Sequence, residues 1–248
     1  MALLAGRIAV VTGGAQGLGL AIARQFIDDG ARVVLGDLNL DATAAAASEL
    51  GGPKVAHAVR CDVTSAAEVD ALIAGALEHF GGCDVMVNNA GITRDATLRK
   101  MDKAQWDAVI GVNLDSVFNL CRHAVDGMQA RGFGRIVNIS SVSGQTGNFG
   151  QVNYAAAKAG LHGFSMSLAR EVARKGVTVN SVSPGYVETP MTRAMPDEVR
   201  ERTVASVPVG RIGQPADIAR AVAFLTADDA GYITGANVPV NGGLFMSF

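Results

Sequence analysis

Tyr154 and Lys158 are separated by three alanines in Tyr154-Ala-Ala-Ala-Lys158. Alanine favours helix, and residues four apart on a helix share a face, so a phenol stands one turn from an ammonium. That is a proton donor beside a fixed positive charge. A free tyrosine has a pKa of about 10. A neighbouring cation stabilises the phenolate, so Lys158 is expected to draw the Tyr154 pKa down toward the working pH. Ser141 lies upstream, at the end of a predicted strand. Pairs of this kind also occur on ordinary helix surfaces, so the meaning of this one depends on what positions it.

The first candidate strand, Arg7 to Thr12, is β-branched and ends at Gly13-Gly14; an amphipathic helix follows from about Leu18 to Asp29, closed by Gly30, and then a strand from Arg32 to Asp37. Strand, glycine turn, helix and strand make a βαβ unit. The alternation continues with a helix near Asp41 to Leu50, a strand near Lys54 to Arg60, a helix from Ala66 to Phe80 and a strand from Asp84 to Asn88. Helical patterns over Asp102 to Ile110 and Leu114 to Arg131 precede the strand Arg135 to Ile139; helix Tyr154 to Arg174 and strand Thr178 to Val182 follow. A helix from Ala216 to Thr226 and a strand near Asn237 to Val240 complete the series. The pattern predicts an α/β chain forming one domain over 1-248, a parallel sheet with helices on both faces. The rhythm fails from Tyr186 to Pro215, which is rich in Pro, Thr, Arg and Met and reads as an inserted flap at about 186-215 over a site.

Several strand ends carry residues suited to a ligand. Gly13, Gln16, Gly17, Leu18 and Gly19 lie between the first strand and its helix, where glycines let the backbone approach a pyrophosphate and the helix start favours its charge. The spacing departs from the common G-x-G-x-x-G. Asp37 ends the second strand, where a carboxylate can accept both adenosine ribose hydroxyls and repels a 2′-phosphate. No arginine stands in the glycine loop, where Gln16 is found, so NAD(H) is favoured over NADP(H). Asp62 and Val63 follow the third strand, and Asn88, Asn89, Ala90 and Gly91 follow the fourth, suited to contact with adenine and ribose.

Composition narrows the function classes. The 248 residues include 21 Lys and Arg against 23 Asp and Glu, a formal net charge of -2, and no basic block that could track a phosphate backbone, so nucleic acid is not expected as a partner. No apolar run approaches the roughly 20 residues that span a bilayer, and the N-terminus does not read as a secretory signal. Cys61, Cys83 and Cys121 are odd in number and far apart, which suits buried thiols in a reducing compartment, so a cytoplasmic location is expected. The histidines show no metal-ligand spacing, and no metal site is predicted.

Taken together, Thr12-Gly-x-x-x-Gly17-x-Gly19, Asn88-Asn-Ala-Gly91, Asn113, Ser141, Tyr154-x-x-x-Lys158 and Pro184-Gly185 resemble the short-chain dehydrogenase/reductase family in order and spacing along the whole chain. The resemblance implies a Rossmann-like doubly wound parallel sheet of about seven strands, a homotetramer and a catalytic tetrad of Asn113, Ser141, Tyr154 and Lys158. It further implies that Tyr154, Lys158, Pro184, Gly185, Val187 and Thr189 border the nicotinamide end of the cofactor. Asn113 would support a water-linked proton path to Lys158.

Within the family, Asn88 to Asp95, Gly134 to Ser141, Gly150 to Tyr154 and Lys158 to Phe164 are similar to acetoacetyl-CoA reductases and 3-oxoacyl-[acyl-carrier-protein] reductases. That likeness implies reduction of the ketone of a 3-oxoacyl thioester, on CoA or a carrier protein, with Ser141, Asn148, Phe149, Gln151, Tyr154 and Tyr186 at the substrate. Phe149 and Tyr186 fit the core equally well, and Arg94, Arg193 and Arg202 could meet the phosphates of a carrier arm or stay solvated. Those subfamilies generally use NADPH, from which Asp37 departs. A secondary alcohol, polyol or hydroxysteroid dehydrogenase, or a dinucleotide-binding scaffold without turnover, are the competing expectations.

Overall fold

A computed structural model describes residues 3–188 and 197–246. Strands β1 (Ile8–Thr12), β2 (Arg32–Asp37), β3 (Ala56–Arg60), β4 (Val85–Asn88), β5 (Gly134–Ile139), β6 (Val177–Pro184) and β7 (Asn237–Val240) form one sheet in the order β3-β2-β1-β4-β5-β6-β7. Every neighbouring pair is parallel, as strands joined by helical crossovers must be. The helices are α1 (Gly17–Asp28), α2 (Leu40–Glu49), α3 (Ala66–Phe80), α4 (Lys103–Ile110), α5 (Ser116–Arg131), α6 (Ser143–Thr146), α7 (Val152–Val172), α8 (Asp197–Ser206) and α9 (Pro215–Thr226). None is long and apolar enough to cross a membrane among the described residues.

The two-residue period of a strand sends alternate side chains to opposite faces, and the core divides accordingly. Ala9 and Val11 of β1, Val33 and Leu35 of β2 and Val85 and Val87 of β4 pack with Ile22 and Phe26 of α1 and Ile218 and Val222 of α9. Val10, Val34 and Met86 face the other way, against Leu72 and Ala76 of α3, Leu120 and Met128 of α5 and Leu161 of α7. Strands buried on both faces must be apolar throughout, which is why they read as continuous β-branched runs. From β1 the chain builds outward to β3, then returns past β1 to β4, so a crevice opens at the carboxyl ends of β1 and β4.

The predicted elements lie within two residues of the observed ones, with three differences. A π-helical turn, Gly111–Asp115, joins α4 to α5 without a break, where two separate helices were expected; α6 and α8 were not expected at all. The residues of α6, Ser-Gly-Gln-Thr, have weak helix propensity, and the turn is held by packing: a Cβ on Gly144 would lie 2.8 Å from the Lys158 carbonyl carbon. Helix α8 occupies the segment predicted as an irregular flap. It buries none of its residues, so it shows no apolar stripe by which periodicity could find it.

Contact between the glycine turn and the end of β4 leaves no room for side chains. A Cβ on Gly19 would lie 2.1 Å from the Gly13 carbonyl oxygen and 2.7 Å from Asn89 Nδ2. Overpacking of this kind costs about 1–3 kcal/mol, so Gly19→Ala is expected to lower the melting temperature by roughly 5 °C or more in thermal denaturation.

Candidate active site

The segments after β4, β5 and β6 and residues of α1, α7 and α8 line a cleft of about 670 Å³, and the glycine turn, Asp37 and Asp62 lie outside that lining. Helix α1 begins at the glycine turn with no side chain capping it at Gln16, so its first backbone N–H groups are available to an anion. Gly13 and Gly17 have φ of +63° and +58°, values that glycine adopts without strain. Asp37, at the end of β2, closes over the same turn: its Oδ2 accepts from Ala15 N at 3.2 Å and its Oδ1 from Asn39 N at 3.3 Å. Asp62 and Val63 follow β3 next door, with Cys61 N donating to the Asp37 carbonyl at 2.9 Å. The Asp62 carboxylate is engaged by the Thr64 hydroxyl and amide, which hold its pKa below the ordinary carboxylate value.

The residues after β4 fasten the glycine turn in place. Asn89 Nδ2 donates to the Thr12 and Gly13 carbonyls at 2.9 and 3.2 Å, and the Thr12 hydroxyl accepts from the amides of Asn89 and Ala90. Asn89, expected at the cofactor, therefore spends its amide on the loop that would hold one. Gly91 is constrained differently: a Cβ there would lie 2.6 Å from Asn113 Oδ1 and 3.5 Å from Lys158 Nζ.

Asn113 sits in the π-helical turn, not near a helix start as its sequence position suggested. The extra residue of such a turn re-aims side chains. Asn113 Nδ2 donates to the carbonyls of Ile92 and Val109, both at 2.9 Å. Its Oδ1 is buried without a hydrogen-bond partner among the described residues.

Ser141 follows β5, and its hydroxyl meets the Tyr154 phenol, a contact that favours the phenolate. Helix α7 presents Tyr154 and Lys158 on one face as predicted, with Lys158 Nζ 5.6 Å from the Tyr154 ring centroid. Lys158 is 4% exposed and donates to the Ile139 carbonyl at 2.8 Å. Behind it, Ser140 Oγ donates to the Lys158 carbonyl and lies 2.9 Å from His162 Nε2.

The electrostatics correct one expectation. Tyr154 is not drawn down by Lys158. Burial pushes its pKa above the ordinary value, the Ser141 hydrogen bond opposes that, and the carboxylate of Asp95 adds to it. The cation moves the other way: burial lowers Lys158 from 10.5 to about 8. Removing the ammonium from water costs more than its neighbours return.

Among the expected substrate residues, Asn148, Gln151 and Tyr186 line the cleft. Phe149 does not; it is 89% exposed and belongs neither to the cleft nor to the core. Pro184, Gly185 and Val187 line the cleft, and Gly185 passes so close to β7 that a Cβ would lie 2.8 Å from Asn241 Cα. Thr189 and Arg193 lie outside the described residues. Arg94 donates to its neighbour's carbonyl and Arg202 pairs with Glu198, so neither faces the cleft.

Several cleft residues were not expected, and Asn153 and Asp95 bear most directly on Tyr154. Asn153 is fully buried: its Nδ2 donates to the carbonyls of Arg94 and Gln105, and its Oδ1 accepts from Tyr154 N at 2.8 Å. It ties the start of α7 to the loop after β4 and to α4. Asp95 lines the cleft and accepts from Gln151 Nε2 at 2.9 Å. The placement of Asp95 just beyond Gly91, after a strand end, was the available signal for it.

Comparison with known proteins agrees along the whole chain. A family model described as Enoyl-(Acyl carrier protein) reductase matches residues 13–245. A protein of Allochromatium vinosum named acetoacetyl-CoA reductase is 53% identical over 248 residues, covering 97% of this chain and 99% of its own length. An acetoacetyl-CoA reductase of Cupriavidus necator is 48% identical, covering 97% and 98%. The 3-oxoacyl-[acyl-carrier-protein] reductase FabG of Vibrio cholerae is 46% identical, covering 98% and 99%.

Proposed function

This chain belongs to the short-chain dehydrogenase/reductase family, and from that premise we propose that it is an NAD(H)-dependent oxidoreductase that reduces the ketone of a 3-oxoacyl thioester to the 3-hydroxyacyl product. The observation that carries the chemistry is the Tyr154 phenol beside Ser141 in a cleft that Lys158 also lines. Relatives named for acetoacetyl-CoA and 3-oxoacyl-carrier-protein reduction support the substrate class.

Gly13, Gly17, Leu18 and Gly19 at the uncapped start of α1 fit a pyrophosphate, with Gln16 beside them. Asp37 fits the adenosine ribose, with Asp62, Val63, Asn89, Ala90 and Gly91 along the same edge. Pro184, Gly185, Val187 and Thr189 are proposed to border the nicotinamide. The bound dinucleotide supplies the hydride. Ser141 Oγ and Tyr154 Oη both meet the ketone oxygen, and Tyr154 Oη gives it a proton as charge develops there. Burial and the Asp95 charge keep the phenol protonated at neutral pH, the state a general acid needs. Lys158, held on the Ile139 carbonyl, places a positive charge beside the phenolate that forms and can reach ribose hydroxyls. The unpaired Asn113 Oδ1 supports a water-linked proton path to Lys158.

The test is oxidation of NADH and of NADPH with acetoacetyl-CoA and with a longer 3-oxoacyl thioester, side by side. Turnover of both thioesters is expected, and none with either would sink the proposal. Asp37→Ala is expected to narrow the NADH to NADPH ratio of kcat/KM at least tenfold; an unchanged ratio removes Asp37 from cofactor selection. The same carboxylate favours a second reading, an NAD-dependent secondary alcohol or polyol dehydrogenase, which a panel of alcohols with NAD would separate from the first. A homotetrameric, cytoplasmic enzyme completes the proposal, and sedimentation velocity checks the assembly.

A further inference from the structure

Among the described residues, two cleft-lining side chains are of charged residue types, Lys158 and Asp95. They are placed very differently. The ammonium is buried on the Ile139 carbonyl, whereas Asp95 is exposed and its charge is felt at the Tyr154 phenol. Arg94, the adjacent cation in sequence, donates to the Thr93 carbonyl and does not line the cleft. The accessible part of the described cleft therefore presents a carboxylate in the same lining as Tyr154.

Asp95 also fixes a neighbour. Its Oδ2 accepts from Gln151 Nε2 at 2.9 Å, while Gln151 Oε1 accepts from Asn148 Nδ2 at 2.9 Å and from Ser143 Oγ at 3.3 Å. A carboxylate on one end and an amide donor on the other leave no doubt which end of the Gln151 amide is nitrogen. One of its two N–H groups is occupied by Asp95 and the other remains to donate.

Resting on the thioester-reductase reading, we infer that Asp95 is a specificity-determining residue, an electrostatic filter that turns away oxo acids bearing a free carboxylate and admits the same ketones once that carboxyl is esterified. A 3-oxo acid carries its carboxylate two bonds from the ketone carbon, so a ketone placed at Tyr154 brings the two anions into the same small cleft. Like charges brought together in one binding site disfavour each other and turn away the wrong partner. Esterification removes the charge and leaves a carbonyl, which the free N–H of Gln151 can meet. Asp95 selects by repulsion and, through Gln151, by orientation.

The experiment compares kcat/KM for acetoacetate and ethyl acetoacetate, which share the ketone and carry no carrier phosphates, with acetoacetyl-CoA as the reference. The wild-type ester to acid ratio is expected to be at least a hundredfold. Asp95→Asn should lower that ratio at least tenfold, and Asp95→Glu, which restores the charge, should keep it within about threefold of wild type. An unchanged ratio in Asp95→Asn, or an equal fall in Asp95→Glu, overturns the filter while acetoacetyl-CoA is still reduced. Absence of acetoacetyl-CoA turnover in the wild type overturns the thioester reading itself.

Discussion

Tyr154→Phe is expected to lower kcat at least a hundredfold while leaving NADH affinity within a few-fold of wild type. The substitution removes one hydroxyl and keeps the ring. The hydroxyl removed is the one that Ser141 contacts, and loss of a positioned general acid typically costs 10² to 10⁴ in rate, on the order of 3–5 kcal/mol in the barrier. Stopped-flow turnover with acetoacetyl-CoA and fluorescence titration of NADH separate the two quantities. Wild-type turnover in the variant would remove Tyr154 from the mechanism. A loss of NADH affinity matching the loss of rate would make the residue a binding group.

Lys158→Met is expected to remove at least a hundredfold of activity and also a pH dependence of stability. Burial lowers Lys158 to about 8 in the folded protein, against 10.5 for an ordinary lysine. Between those values the unfolded chain holds the proton and the folded chain does not, so the unfolded state binds more protons and stability rises with pH. Below pH about 8 the folded state carries the full cost of the buried cation, on the order of 3 kcal/mol from the size of the shift. That cost is relieved as pH rises through the window. Methionine carries no such cost at any pH. The unfolding free energy of wild type should therefore gain on that of the variant by about 3 kcal/mol between pH 7.5 and 10.5.

Cys61, Cys83 and Cys121, each pushed up to about 12 by burial, act in the opposite sense above pH 9. They are common to both proteins and cancel in the difference. Urea denaturation at several pH values provides the measurement; parallel curves for the two proteins would show that Lys158 is not a buried charge. The same cation that costs stability is the one proposed to steady the phenolate, so the site retains a locally unfavourable group for its chemistry.

Much of this architecture can be read from the chain because its signals are local or periodic. Doubly buried strands must be continuously apolar, helices must show a stripe, and glycine must stand where the chain turns with positive φ. The seven strands, their parallel order of appearance and the placing of Gly13 and Gly17 follow from that. So does the shared face of Tyr154 and Lys158, since four residues make one turn. Helix α8 escaped because a helix that buries nothing leaves no stripe. The π-helical turn escaped because one extra residue in a turn has no compositional mark.

Residue types and spacing thus determined the sheet, the glycine turn and the shared face of Tyr154 and Lys158, because each depends on neighbours a few residues away or on a repeat of two or 3.6 residues, while the family resemblance added Ser141 to that pair. Only the tertiary structure decided the electrostatics of that group. Depth of burial and the approach of residues distant in sequence set a pKa, and neither is written in local spacing. Hence the Tyr154 phenol rises where its lysine neighbour alone predicted a fall, Lys158 drops to about 8, and Asp95, 59 residues before Tyr154 in the chain, acts on it across the cleft.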